Sequence, residues 1–542
     1  MKFNLVRNLK RNVLAAAINS MMKLLFPFLN RTLFLWLLGP AYLGLNGLFG
    51  SILGVLMLAE LGFGTAVVCS MYKPVADENK ELLCAYLQFY RMVYRWIGGF
   101  IFIVGLLLLP FLRYLVHGTI PADVNLHVLY VIHLVNTSLS YFLFSYRGSV
   151  LSAYHRQDVL TNIRSAVSMM QYITVFIILL ATRNYYCYVL VTVAFTVVQN
   201  MLILYESKKL FPEILPQGKL PDDLRRRVLS DVKSIFMHKL GGVISYSKDN
   251  VVISAFLGLV AVATYGNYYY VYTSVSGIVW VVYYSMASGF GNRIYTENRE
   301  RNFELFMKFN RVVAIIIMWC TAMMLALYQP FLREWTRGKT ELMCHGLTPS
   351  LMVLFFYINQ SRQVLLSFKS AAGLWRNDRW KPIVAGIANL SLSLVLITYL
   401  PKEFKLDGVI FSTIITMALI QMPWESHVLF SVFFNREKAL VYWQFQFRFA
   451  LLAFCLSAMT WGCAALIKVY GLPGLLAKGV VAAAFSTLFL LTFFRRDQLD
   501  ALHTALKKKY YCSQPSGKFD PQGLFIPAFC RCGDRSADNR TL

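Results

Sequence analysis

Residues 30–74 read NRTLFLWLLGPAYLGLNGLFGSILGVLMLAELGFGTAVVCSMYKP, and this stretch decides the class of fold. Its charged side chains are Arg31, Glu60 and Lys73, and the rest is mostly apolar. An apolar run of about 20 residues can cross a ~30 Å hydrocarbon core as an α-helix. Gly39 and Pro40 separate two such runs, the first of which begins before the quoted stretch, at residue 13. The sequence here therefore predicts two consecutive membrane-spanning helices.

Similar runs recur along the chain of 542 residues, of which 57% are hydrophobic and 15% are charged. Soluble chains average about 25% charged residues. The composition excludes a soluble enzyme, a secreted disulfide scaffold and a disordered protein. The runs are too uniformly apolar for an outer-membrane barrel, whose strands alternate over about 10 residues. The sequence therefore predicts an all-α polytopic membrane protein.

We predict fourteen membrane spans, the last two of which form an extra pair beside a core of twelve. The second and eighth spans are long and contain glycine, so we expect them to tilt or bend. The fourteen spans cover residues 13–38, 43–71, 92–112, 126–147, 165–182, 186–205, 235–257, 261–290, 312–331, 348–368, 383–399, 408–431, 449–467 and 479–494.

The distribution of basic residues tests this span count. With fourteen spans, the segments on the side of the termini hold 39 Lys and Arg residues, and the opposite loops hold 9. Cytoplasmic loops of membrane proteins are enriched in Lys and Arg. We therefore place both termini in the cytoplasm. We attribute the formal net charge of +26 to basic loops that orient the protein in the membrane. We therefore do not expect nucleic acid as a partner.

Five regions follow from the spans. A Pro-rich segment within the longest internal loop, residues 206–234, separates two groups of six spans. The predicted regions are an N-terminal six-helix bundle at 1–210, a cytoplasmic linker at 211–234, a C-terminal six-helix bundle at 235–440, an extra helix pair at 441–495 and a disordered, basic cytoplasmic tail at 496–542.

Charged residues inside the spans are the candidate functional residues. Each cation at a helix centre costs roughly 2.5–3.5 kcal/mol on insertion scales. Lys239 is near the cytoplasmic end of its span and can reach the interface. The other charges either pair between helices or line a cavity that attracts an anion. The candidate cavity cations are Arg31, Lys23, Lys248 and Arg362, and the acids counted at depth, Glu60 and Asp249, are candidates for coupling or ion pairing.

The sequence predicts a protein that is not an enzyme and carries neither a cofactor nor a metal. Its histidines are scattered, and its spans contain no nucleotide-binding motif. Tyrosines crowd the eighth span at Tyr268, Tyr269, Tyr270, Tyr272, Tyr283 and Tyr284. Two interpretations stay open for them, namely packing in the core and interface, or stacking on sugar rings in a cavity.

The residues from Asn30 to Phe49, from Leu58 to Thr65 and from Tyr72 to Pro74 resemble the opening of bacterial polysaccharide-biosynthesis flippases, of the O-antigen type. These belong to the multidrug/oligosaccharidyl-lipid/polysaccharide exporter superfamily. The resemblance implies two six-helix bundles around a central cavity, often with two further C-terminal helices. Arg31 and Lys248 occupy positions comparable to cavity cations of that family.

The resemblance also implies a function and a place in the cell. It implies alternating-access transfer of an undecaprenyl-diphosphate-linked oligosaccharide to the outer leaflet of the bacterial cytoplasmic membrane. Expected partners are that lipid-linked substrate, membrane lipid, and a glycan polymerase with its export machinery.

Two other functions remain as alternatives. A cation-coupled drug exporter of the same superfamily should place acids in its cavity, whereas cations predominate in these spans. A membrane glycan polymerase or glycosyltransferase usually needs a sizeable outer loop with catalytic groups, and the predicted outer loops are short.

Overall fold

The predicted all-α polytopic class is confirmed. A computed structural model describes residues 25–60, 62–117, 120–344, 347–378 and 380–494, and the regular secondary structure within these ranges is helical. The helices are α1 (Leu25–Leu37), α2 (Pro40–Leu56), α3 (Phe63–Ala76), α4 (Lys80–Leu107), α5 (Leu112–Leu115), α6 (Leu126–Phe142), α7 (Gly148–Ala153), α8 (Gln157–Thr182), α9 (Tyr185–Leu210), α10 (Asp222–Leu257), α11 (Leu259–Thr296), α12 (Arg299–Trp335), α13 (Thr348–Ser361), α14 (Gln363–Ala371), α15 (Lys381–Tyr399), α16 (Lys405–Thr416), α17 (Met422–Val432), α18 (Glu437–Ala465) and α19 (Gly471–Phe493).

Each predicted span coincides with one helix or with a pair of consecutive helices in the described ranges. By length and hydropathy alone, 8 continuous helical segments in the described part of the chain could cross a membrane, or 9 if the bent pair around α6 and α7 is one span. The second span bends as expected, because a 3₁₀ turn at Met57–Glu60 and a left-handed Gly62 (φ +91°) separate α2 from α3. The eighth span is the single helix α11 of 38 residues.

The chain forms two compact units, Met1–Ala263 (unit one) and Thr264–Leu542 (unit two). The sequence instead placed the division at residues 211–234, before the seventh span. The difference arises because α10 packs on α2 and α3 within unit one. The five regions expected from the sequence remain a prediction.

Small residues let α2 and α10 approach closely in unit one. A β-carbon on Gly44 of α2 would clash with the carbonyl oxygen of Leu259, the first residue of α11, which directly follows α10. The Asn250 side chain of α10 donates a hydrogen bond to Ser51 Oγ of α2 at 2.9 Å. Close backbone approach and hydrogen bonds between helices are the usual means of packing inside a bilayer.

The last two helices pack on α12 in unit two. Met318 and Ala322 of α12 are fully buried against Leu456 of α18 and Leu490 of α19. Thr460 and Ser486 share a hydrogen bond of 3.1 Å between α18 and α19. The C-terminal helix pair is therefore an integral layer of unit two.

Candidate functional site

Arg31 is half-buried on α1, which is fixed against α8 and α9 of unit one. The neighbouring Asn30 amide donates a hydrogen bond to the carbonyl oxygen of Tyr172 at 3.1 Å. The Phe34 ring lies edge-on to Tyr188, with ring centroids 4.8 Å apart. Arg31 is close enough to Tyr188 for an electrostatic interaction. Lys23, another predicted cavity cation, lies outside the described residues.

Three polar contacts inside unit one were not predicted from the sequence. The Tyr185 hydroxyl donates to Asn46 Oδ1 at 3.5 Å and lies 3.4 Å from His133 Nε2. Thr196 of α9 donates to Asn136 Oδ1 of α6 at 2.8 Å. These residues lie in or directly beside three separate predicted spans, so hydropathy gives no sign that they meet. Together they link α2, α6 and α9 through side-chain hydrogen bonds.

Glu60 lies in the 3₁₀ turn between α2 and α3 and is half-buried. The hydroxyls of Tyr94 and Tyr141 donate hydrogen bonds to its two carboxylate oxygens. Tyr90 extends this group, since its ring centroid is 4.3 Å from that of Tyr94. In the described ranges, the Glu60 carboxylate contacts phenol hydroxyls and no cation. The assignment of Glu60 to coupling or ion pairing remains a prediction.

Asp249 is a buried carboxylate on α10, with 6% of its surface exposed. The next residue, Asn250, faces Ser51 of α2. The side chain of Lys248 lies outside the described part of the chain, although its backbone is helical. The structure thus places Arg31, Glu60 and Asp249 in unit one.

Arg362 lies in unit two at the break between α13 and α14 and is 6% exposed. Its guanidinium makes two parallel hydrogen bonds to Glu425, from Nε to Oε2 at 3.1 Å and from the terminal nitrogen to Oε1 at 2.6 Å. Lys381 Nζ contacts the same Oε1 atom. Glu425 has no exposed surface, so a buried carboxylate holds two cations.

The ionic network continues through Asp378. Lys381 Nζ lies 3.5 Å from Asp378 Oδ2, and Lys369 Nζ bonds the same oxygen. Lys369 and Asp378 are 1% and 3% exposed. We call Arg362, Lys369, Asp378, Lys381 and Glu425 the five-charge cluster. It joins α13, α14, α15 and α17 and carries one more cation than acid.

The count of two acids at membrane depth, Glu60 and Asp249, is wrong, because it leaves Arg362 without a counter-charge within the predicted spans. Glu425 supplies that charge and lies inside the predicted span 408–431, so counting every acid in the spans would have found it. The assignment of Arg362 to a substrate cavity remains a prediction.

Two polar residues that precede Arg362 form hydrogen bonds with tyrosines of α11. Asn359 donates to the Tyr272 hydroxyl, and the Tyr283 hydroxyl donates to the Gln360 carbonyl oxygen at 2.6 Å. Tyr268 is fully buried and donates to Gln329 Oε1 at 2.6 Å. These three tyrosines of the eighth span therefore pack inside unit two, as the core interpretation expected.

Comparison with known proteins gives similarity at the level of structure. No family model matches the chain, and no curated protein matches it. The solved structure of "Lipid II flippase MurJ, inward closed conformation" matches with a TM-score of 0.62 and 14% identity, over 89% of this chain and 99% of that chain.

Two multidrug transporters also match. An inward-facing MATE family transporter of the MOP superfamily gives a TM-score of 0.54 at 14% identity, over 76% of this chain and 94% of that one. The MATE multidrug transporter DinF-BH, solved as a complex, gives 0.53 at 16% identity, with the same coverage of 76% and 94%. The chain therefore has the helical polytopic fold seen in a lipid II flippase and in MATE transporters.

Proposed function

We propose that the protein is a flippase that moves an undecaprenyl-diphosphate-linked oligosaccharide across the bacterial cytoplasmic membrane by alternating access. The observation that carries this proposal is the fold it shares with a lipid II flippase over 89% of this chain and 99% of the other. The multidrug transporters match a smaller share, 76% of this chain. Both termini are proposed to be cytoplasmic, in keeping with the cation distribution.

The chemistry of the substrate suits the cations of unit one. A diphosphate is best bound by guanidinium and ammonium groups, which donate charge-assisted hydrogen bonds to its oxygens. Arg31 is half-buried beside Asn30, and we propose that Arg31, Lys23 and Lys248 bind the diphosphate. Arg362 belongs to the five-charge cluster, and we propose that it positions α13 and α14 for substrate. The polyprenyl tail stays in lipid, and the translocated product passes to a glycan polymerase and export machinery.

A drug exporter of the same superfamily is the second candidate. The observation that favours it is Glu60, a carboxylate surrounded by the rings of Tyr90, Tyr94 and Tyr141. A carboxylate beside aromatic faces is suited to an organic cation. The structural matches to two MATE transporters agree with this candidate too.

Reconstitution separates these candidates. Proteoliposomes containing a fluorescent undecaprenyl-diphosphate oligosaccharide should show its transfer between leaflets when wild-type protein is present. Arg31→Ala should keep its melting temperature and lose transfer, whereas Arg113→Ala, which removes an exposed arginine from α5, should behave like wild type. Full transfer by Arg31→Ala would contradict the assignment of Arg31.

Two further outcomes would contradict the flippase proposal and support another function. Uptake of an organic cation without any lipid transfer would establish the drug exporter. Formation of a new glycosidic bond by the purified protein would establish a glycan polymerase.

A further inference from the structure

A cationic groove on α4 lies apart from the residues assigned to transport. Gln88, Arg91, Met92, Arg95 and Trp96 line a cavity of about 240 Å³. The two arginines are four residues apart and therefore share one helix face. Trp96 is 75% exposed and Met92 is 46% exposed. The groove thus combines two positive charges with an open apolar surface.

Neither arginine has a counter-charge among the described residues. No described carboxylate lies within 4.0 Å of Arg91 or Arg95, although the chain forms exposed pairs elsewhere, such as Lys80 with Glu213. Gln88 Oε1 is buried and also has no hydrogen-bond partner in the described chain. The amide orientation is interchangeable, so Gln88 can donate as well as accept. The groove is therefore cationic and contains unused hydrogen-bonding capacity.

The position of the groove along α4 corresponds to the inner membrane boundary. The helix has 28 residues, from Lys80 to Leu107, and a hydrocarbon core of ~30 Å needs about 20 of them. The predicted span at 92–112 begins within the groove, so Arg91 lies at its cytoplasmic edge, and Arg95 and Trp96 lie about one helical turn inside it. From there the arginine side chains can extend to the headgroup phosphates on the cytoplasmic side. Tryptophan is enriched at that depth.

We propose that this groove binds the phosphodiester headgroup of an anionic phospholipid of the cytoplasmic leaflet. Arg91 and Arg95 donate to the phosphate oxygens, and Met92 and Trp96 pack along the glycerol and the first acyl carbons. Basic pockets on the cytoplasmic side of membrane proteins suit such headgroups. A volume of about 240 Å³ fits one headgroup, whereas pockets for larger ligands run to roughly 300–1,000 Å³. A resident lipid therefore fits better than a lipid-linked oligosaccharide.

Quenching of tryptophan fluorescence by brominated lipids tests the proposal. Purified protein is placed in nanodiscs of phosphatidylcholine containing increasing fractions of brominated phosphatidylglycerol. The chain has 10 tryptophans, so the signal of Trp96 is the difference between wild type and Trp96→Phe. Brominated phosphatidylglycerol should quench Trp96 at lower mole fractions than brominated phosphatidylcholine does.

Charge variants give the decisive comparison. Arg91→Gln/Arg95→Gln should weaken phosphatidylglycerol binding about 25-fold, at a factor of about five for each cation near the surface. Arg95→Lys keeps the charge and should retain most of the binding. The matched control, Arg226→Gln/Arg227→Gln, removes two exposed cations from the start of α10 and should leave Trp96 quenching unchanged.

Three results would overturn the proposal. The double variant could bind phosphatidylglycerol like wild type, or the control pair could lose as much binding, which would indicate a general surface charge effect. Alternatively, the groove could bind undecaprenyl phosphate and show no response to phosphatidylglycerol, which would assign it to the transport substrate. The nanodiscs contain no lipid-linked oligosaccharide, so the quenching measurements do not depend on whether the protein is a flippase. The phospholipid proposal and the flippase proposal can therefore fail separately.

Discussion

At the scale of single residues, Glu425 makes the sharpest stability prediction. It is fully buried and bonds Arg362 and Lys381. Glu425→Gln would leave both cations facing a neutral amide, and loss of one partner from a buried ion pair costs roughly 3–5 kcal/mol. We expect a large fall in unfolding free energy, measured by denaturant titration in mixed micelles.

The control for this experiment is the same substitution at an exposed acid. Glu437 begins α18 and is exposed, so Glu437→Gln should change stability by well under 1 kcal/mol, since most exposed substitutions stay within about 0.5 kcal/mol. Equal stability of the two variants would show that the five-charge cluster does not hold α13, α15 and α17 together.

Glu60 makes a prediction about energy coupling. Its carboxylate accepts hydrogen bonds from two tyrosine hydroxyls in the described chain, and an amide in its place keeps the shape of the side chain without a site for a proton. We expect Glu60→Gln to bind lipid-linked substrate like wild type and to lose stimulation of transport by a pH gradient. Isothermal binding and proteoliposome transport on the same purified variant would check this. Unchanged stimulation would remove Glu60 from the coupling step.

Residue types could be predicted from the sequence better than their partners. Arg362 was recognised as a buried cation because it interrupts an apolar run. Its partner Glu425 is 63 residues away, and no local pattern connects them. Lys369 and Lys381 looked like ordinary loop cations, and they are buried only because tertiary packing brings Asp378 between them.

At the scale of helices, two adjacent glycines on α4 allow a matched comparison of alanine substitutions at a packed and an open position. A β-carbon on Gly98 would lie 2.8 Å from the β-carbon of Tyr141, whereas one on Gly99 would meet nothing within 4 Å. Gly98→Ala should therefore destabilise the protein by about 1–3 kcal/mol through overpacking. Gly99→Ala should be neutral or stabilising by up to about 1 kcal/mol, because alanine favours helix.

Melting temperatures of the two alanine variants in one detergent would check this prediction. Gly98→Ala should also displace Tyr141 from Glu60, so its response to a pH gradient should change with its stability. A Gly99→Ala variant that melts as early as Gly98→Ala would contradict the packing of α4 on α6.

Hydropathy located the helices well and their ends poorly. The seventh predicted span begins at residue 235, whereas α10 begins at Asp222, and the ninth begins at 312, whereas α12 begins at Arg299. Charged turns continue these helices beyond the apolar part, and hydropathy does not register them. The π-helical turn at Met417–Gln421 depends on side-chain packing and was not predictable from composition.

At the scale of the whole molecule, the cation distribution predicts a topology that labelling can test. Arg225 and Arg337 are both exposed, and the sequence places them inside and outside. In a cysteine-free background, Arg337→Cys should react with a membrane-impermeant maleimide on intact spheroplasts, and Arg225→Cys should react only after lysis. The reverse pattern would invert the orientation.

The compact units and the predicted regions divide the chain at different places. Counting spans groups the seventh with the second half, and the sequence has no signal against this. Contacts group α10 with α2, as in the hydrogen bond from Asn250 to Ser51, and Gly44 of α2 lies against Leu259 at the start of α11. The sequence shows that Gly44 and Ser51 are small residues, but it does not predict which helix packs against them.

The five-charge cluster also bears on how the chain is made. Span ten carries Arg362 into the bilayer 63 residues before Glu425 is synthesised. During that interval the carboxylate that holds the guanidinium in the folded protein does not yet exist, and insertion of the cation costs roughly 2.5–3.5 kcal/mol. Spans ten to twelve should therefore remain together beside the translocon until Glu425 arrives. These spans would then enter the lipid bilayer together. Membrane insertion of this part of unit two would therefore depend on the synthesis of Glu425.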